Sequence, residues 1–227
     1  MSNVHHFLFG VYPYIALAVF LLGSLIRFDR EQYTWKSDSS QLLRRGQLRL
    51  GSNLFHIGIL ALFAGHFVGL LTPKDVYHAL GLTTEAKQML AIVAGGIFGG
   101  MCLIGLLLLM HRRLTEPRIR ETSTRMDVLI QVWILATLLL GLISILVSLE
   151  HRDGGVMVLL GLWAQHIVTF RGGAADFIAD VHVIYKMHVF FGLTLLVLFP
   201  FSRLVHVWSG FATLGYLTRA PQIVRRR

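Results

Sequence analysis

One cysteine, Cys102, is all the thiol chemistry this 227-residue chain holds. A lone thiol excludes an internal disulfide, a thiolate zinc cage and an iron–sulfur cluster carried by the chain itself. Charge is missing over long distances. Phe7–Ile26, Leu54–Leu71, Met89–Met110 and Val128–Leu149 run for 20, 18, 22 and 22 residues without Asp, Glu, Lys or Arg. No basic segment precedes the first run, which is also too long for the apolar part of a signal peptide, so it is expected to be retained. The chain has no internal repeat and no low-complexity segment.

What is present is apolar. Hydrophobic residues make up 55% of the chain and the mean hydropathy is +0.64. A helix needs roughly 20 apolar residues to cross the hydrocarbon core. The four runs meet that length, and a fifth, from Val183 to about Ser202, carries Lys186 near its start and Pro200 near its end. Continuous runs argue against a membrane barrel, whose strands alternate over ~10 residues. The expected fold is therefore an all-α membrane protein of one domain over 1–227. Its five transmembrane helices are expected near 7–26, 54–71, 89–110, 128–149 and 183–206.

The net charge is +9. In a soluble domain that balance would suggest nucleic acid. Here the basic residues sort by side. The loops 27–50 and 111–125 and the C-terminal tail hold sixteen Lys and Arg, and the loops on the other side hold four. Basic loops stay in the cytoplasm. The N-terminus is thus expected outside and the C-terminus inside, with anionic lipid rather than nucleic acid as the counter-charge. The 27–50 loop has room for a partner surface but too few apolar residues for a core. In the 150–182 loop, "GVMVLLGLWAQHIVTF" is expected to form an interfacial helix with Trp163 at the headgroups. "RGGAAD" after it reads as a turn.

Of eleven histidines, His5, His6, His78, His111, His151, His166 and His182 fall in loops or at helix ends, where water or headgroups satisfy them. His56, His66, His188 and His206 lie in or beside apolar helices. Ionisable groups at that depth are costly and mark function. The second and fifth helices run antiparallel, which pairs His56 with His206 on the inner side and His66 with His188 on the outer side. Each pair suits axial ligation of one haem iron, the arrangement of a b-type cytochrome. Covalent c-type attachment is excluded, because no C-x-x-C-H occurs. His56 and His66 are ~15 Å apart along a helix, whereas the 18 residues from His188 to His206 would span ~27 Å. A kink at Pro200 is one way to shorten the second distance. Gly58, Gly65 and Gly69 on the second helix, and Gly192 on the fifth, let a macrocycle or a neighbouring helix approach closely. Gly95/Gly99 and Gly96/Gly100 suit helix packing. Arg112, Arg113 and Arg203 are candidate cations for haem propionates.

Five helices, "NLFHIGILALFAGHF", "LTP", "AGG", "HRRL", "LFPFSRLVHVWS…YLTR" and the early "YPYIALAVFLLGS…QYTW…SSQ" together closely resemble the gamma subunit of respiratory nitrate reductase. The resemblance covers nearly the whole chain. It implies a dihaem cytochrome b in the bacterial cytoplasmic (inner) membrane. Such a subunit oxidises quinol (ubiquinol or menaquinol) near the outer face. Electrons then pass to an iron–sulfur beta subunit and on to a molybdenum-containing alpha subunit that reduces nitrate. It implies His66 and His188 on the outer haem, next to the quinol site, and His56 and His206 on the inner haem. Lys87, just before the third helix, Gly65 and His66 correspond to the quinol site. Lys87 also reads as an ordinary snorkelling interfacial lysine. Two rivals stand beside this reading. One is a haem b subunit of a heterodisulfide- or sulfite-type reductase. The other is a metal or proton transporter using the same histidines, which the lack of acidic residues in the first four runs disfavours.

Overall fold

The computed structural model describes residues 2–31, 45–150 and 153–209. Most of the 27–50 loop, His151, and the tail with Arg219, Arg225, Arg226, Arg227 and "YLTR" lie outside the described residues. Among the described residues every regular element is helical. Among the described residues, five helices are long and apolar enough to cross a membrane: α1 (Asn3–Arg30), α2 (Arg45–Leu71), α4 (Thr84–Thr115), α6 (Arg125–Glu150) and α9 (Val183–Leu198), whose span runs on to Phe201. The first four outrun their apolar cores, because polar first and last turns continue the helix into the interface. Thr83 caps α4, its hydroxyl accepting from the Ala86 N–H at 3.2 Å. Lys87 therefore sits in the first turn of α4, not ahead of it.

Short helices join the spans: α3 (Lys74–Ala79), α5 (Pro117–Glu121), α7 (Gly155–Val168) and α8 (Ala174–Phe177). The helix expected in the 150–182 loop is thus present as α7. Trp163, however, does not sit at headgroups. It is buried and donates its indole N–H to the Phe9 carbonyl at 2.9 Å. It joins a core of Phe9, Ile167, Ala175, Ile178 and Tyr185 that ties α7 and α8 to the start of α1. A buried indole needs an acceptor, and the π-helical turn Phe7–Val11 supplies it. The "RGGAAD" turn is made by Gly173 at φ 76°, which starts α8.

The fifth span departs from expectation. α9 runs Val183–Leu198, then stops. A 3-10 turn over Phe199–Phe201 follows, Ser202 is extended (φ −122°, ψ 178°), and a second 3-10 turn covers Arg203–Val205. Pro200 is the cause, since it has no N–H to give and its ring clashes with the preceding turn. Two carbonyls freed by the break are taken up by α1. The Arg27 guanidinium donates to Pro200 O at 2.6 Å and Ser202 O at 2.8 Å. Gly23 of α1 makes the seat, for a Cβ there would meet Pro200 Cγ at 2.9 Å.

α2 packs along α4 through glycines. A Cβ on Gly58 would stand 2.6 Å from the Cys102 nitrogen, and one on Gly105 would overlap the Phe55 and Gly51 backbone. Gly58 is therefore a helix-packing residue rather than a cofactor-lining one. Gly95 and Gly99 play the same part against Ile145 and Leu142 of α6, while Gly96 and Gly100 face open space. Gly105→Ala should lower the thermal unfolding midpoint in detergent. Overpacking typically costs 1–3 kcal/mol, here against backbone that cannot step aside. Gly96→Ala, with nothing to hit, should leave the midpoint unchanged or raise it slightly.

Candidate functional site

The structure brings His56 to His206, with ring centres 6.3 Å apart, and His66 to His188, with ring centres 5.9 Å apart. A metal–imidazole bond is about 2 Å long, so two imidazoles gripping one ion from opposite sides hold their ring centres roughly 6 Å apart. Both pairs stand at that separation. The break in the fifth span reconciles the unequal spacings. His188 to Leu198 is ten residues, the same as His56 to His66. Beyond Leu198 the chain turns instead of advancing, and His206 arrives level with His56.

The second ring nitrogen of each histidine is accounted for. Nδ1 of His56 lies 2.7 Å from Ser52 O, and that of His66 lies 2.7 Å from Leu62 O. Nδ1 of His188 lies 2.9 Å from Thr137 O on α6, and that of His206 lies 2.6 Å from Arg203 O. A carbonyl only accepts, so Nδ1 carries the hydrogen and donates it. The Nε2 lone pair is left for a metal, the tautomer that ligating histidines adopt. Several of the other described histidines have partners of their own. His5 bonds to Ala175 O, His78 to Thr84 Oγ1, and His182 caps the first turn of α9.

Between the pair-bearing helices is space. α2 leans on α4 and α7, and α9 on α6 and α1, and α2 and α9 make no extended contact with one another. A cavity of ≈ 300 Å³ opens at the His66–His188 pair, lined by Gly65, Gly69, Gln88, Gly99, Ser148 and Tyr185 among others. That volume is in the range of small-molecule sites, ~300–1,000 Å³. The lining is largely apolar with a polar edge, where Tyr185 Oη meets Ser148 Oγ at 2.7 Å and Gln88 Nε2 donates to Ser148 O at 3.1 Å. Gly65 and Gly69 have nothing within 4 Å of a notional Cβ, so the wall they form is flat.

Gly141 is a site residue that reading the sequence missed. A Cβ there would lie 2.9 Å from His188 Cε1. Its α6 carbonyl neighbour one turn back, Thr137, is the acceptor for the same ring. A single glycine inside an unbroken apolar run was the available signal.

Lys87 is not in the same recess as Gly65 and His66. Its Nζ lies 4.0 Å from the Tyr77 ring centre, a cation–π contact. It lines a smaller recess with Thr72, Lys74 and Gln165, and Met157 is a wall common to both spaces. At the other end of the bundle Arg112 is buried, while Arg203 gives its Nε–H to Asp127 at 2.6 Å.

The whole chain matches known proteins. A family model described as nitrate reductase gamma subunit covers residues 5–227. The respiratory nitrate reductase 1 gamma chain of Escherichia coli is 50% identical over 227 residues, covering 100% of both chains. The respiratory nitrate reductase 2 gamma chain of the same organism is 49% identical over 221 residues, covering 97% of this chain and 96% of that one. The nitrate reductase gamma chain of Bacillus subtilis is 36% identical over 220 residues, covering 97% of each. With five apolar spans and a match along its full length, the chain belongs to the nitrate reductase gamma subunit family and is a multi-pass membrane subunit of an oxidoreductase complex.

Proposed function

We propose that the chain is a dihaem cytochrome b that oxidises quinol near the periplasmic face of the bacterial inner membrane. It would deliver the electrons to an iron–sulfur beta subunit on the cytoplasmic side, which serves a molybdenum-containing alpha subunit reducing nitrate. The observation that carries this reading is the pair of imidazole couples, each at the ring separation that one shared metal ion requires and each ring bonded through Nδ1 to a backbone carbonyl, which leaves Nε2 free. Haem iron bound there would supply one-electron chemistry. The excess of Arg at the His56–His206 end supports placing that end in the cytoplasm.

The chain's own residues have definable tasks. His56 and His206 hold the inner group, and His66 and His188 the outer one. Arg112 and Arg203 stand at the His56 end as cations for haem carboxylates. Gly65 and Gly69 leave the wall beside His66 flat. Lys87 donates to a quinol oxygen from the recess behind Met157, with Tyr77 holding its ammonium in place. Gly141 leaves the space in which the His188 ring sits. The full-length family match favours nitrate over a heterodisulfide- or sulfite-type partner.

A purified sample should show a sharp Soret band and b-type alpha bands, and a colourless protein would overturn the reading. Reduced-minus-oxidised spectra of His66→Ala should lose one of the two haems and keep the other. Gly141→Val should lose that same haem although no ligand is changed, because the added methyls occupy the ring's place. Stopped-flow haem reduction by quinol in Lys87→Ala should slow by roughly tenfold or more, the effect of removing one charge-assisted hydrogen bond of ~1.5–3 kcal/mol. An unchanged rate would remove Lys87 from the quinol site.

A further inference from the structure

His206 stands on the least regular backbone of the five spans. It follows the second 3-10 turn, past the extended Ser202, and opens the helical stretch 206–209. Something outside that segment has to set where the ring points. α1 holds the break itself through Arg27. The turn beyond it is held from the opposite side, by Asp127 in the first turn of α6.

Asp127 is 3% exposed. Its Oδ1 accepts from Arg203 Nε at 2.6 Å, and its Oδ2 accepts from the Thr124 N–H at 2.8 Å. Arg113 Nη1 stands 3.7 Å from the same Oδ2. The Thr124 hydroxyl accepts in return from the Asp127 N–H at 3.2 Å, so the carboxylate is fixed at the helix start by a reciprocal cap. Arg203 Nη2 also reaches Thr122 O at 3.4 Å. The other end of Arg203 matters as much, because its carbonyl takes the Nδ1 hydrogen of His206 at 2.6 Å. A single residue therefore joins the buried carboxylate to the imidazole, with the guanidinium on one side and the carbonyl on the other. A buried charge demands a partner in good geometry, so Asp127 holds Arg203, and Arg203 holds the ring.

We propose that Asp127 is a positioning residue for His206: through Arg203 it fixes the turn from which that imidazole faces His56. The proposal rests on the reading of His56 and His206 as ligands of an inner haem. Beside its proposed part as a cation for a haem carboxylate, Arg203 is the link in this chain, with its Nε–H on Asp127 and its carbonyl on His206. The role has an electrostatic side. Asp127 offsets the Arg203 charge beside the ligand, and second-shell hydrogen bonding and local charge are among the levers that set a haem potential.

The test uses the assembled complex in membranes, with redox titration of both b haems and low-temperature EPR of their ferric low-spin signals. The outer haem of His66 and His188 reports whether the bundle is intact. In Asp127→Asn the inner-haem midpoint potential should rise, because Arg203 is left uncompensated, and its EPR signal should shift while the outer signal stays in place. Asp127→Ala should lose the inner haem, leaving one haem per complex. Asp127→Glu should restore an inner-haem potential close to wild type. Wild-type potential and signal for the inner haem in both Asn and Ala variants would overturn the proposal. So would loss of both haems together in both variants, which would mark Asp127 as a general stabiliser of the bundle. A wild-type complex with no haem on His56 and His206 would overturn the underlying reading, and this assignment with it.

Discussion

An imidazole inside an apolar bundle must give its hydrogen to something, and water is not at hand. The four site histidines answer this with backbone carbonyls. That choice shapes much else. A ring that donates through Nδ1 to its own helix, as His56 and His66 do, can point only along a narrow range of directions from that helix. The facing ring must then be delivered to it, and the rest of the chain is arranged around that delivery. α6 supplies the Thr137 carbonyl and the gap at Gly141 for His188, and α1 and α6 together hold the turn that carries His206.

The same constraint explains why the helices bearing the histidines are kept apart. Had α2 and α9 packed directly, the rings would have been pressed into helix grooves with no space between them. Instead α2 is drawn onto α4 by Gly51, Gly58 and Gly105, whose missing side chains let the two backbones close up. α9 is drawn toward α6, where Trp133 stacks on Phe191 with ring centres 4.5 Å apart and donates to its carbonyl at 3.0 Å. Tight packing on the flanks is what keeps the middle open. Glycine thus serves opposite ends in one molecule: closing helices at Gly58 and Gly105, leaving a flat wall at Gly65 and Gly69, and seating a ring at Gly141.

The spans, their number and the histidine partners could be read from the chain because each rests on a one-dimensional signal: run length, antiparallel order, and residue type in an oily segment. What escaped depended on neighbours. Gly58 and Gly69 look alike in sequence, yet one meets a helix backbone and the other meets nothing. Pro200 flagged a kink, but the two 3-10 turns that follow it are clasped by Arg27 and Asp127, which lie far away in sequence. Trp163 looked interfacial by composition, and a carbonyl exposed by a π-helical turn in α1 pulled it inside. Lys87 was assigned to the quinol site by resemblance, and its contact with Tyr77 came only from the way α3 folds back over the start of α4.

Both histidine pairs take one member from α2 and the other from the last span, more than a hundred residues later. During synthesis, therefore, neither couple exists until the final span has entered the bilayer. Four spans in place give two unmatched imidazoles, an Arg27 without the carbonyls it clamps, and an Asp127 still waiting for Arg203. The last span to be made supplies all of these at once. On the proposed dihaem reading, cofactor capture is thereby tied to completion of the chain, since a prematurely ended copy offers one imidazole where two are needed.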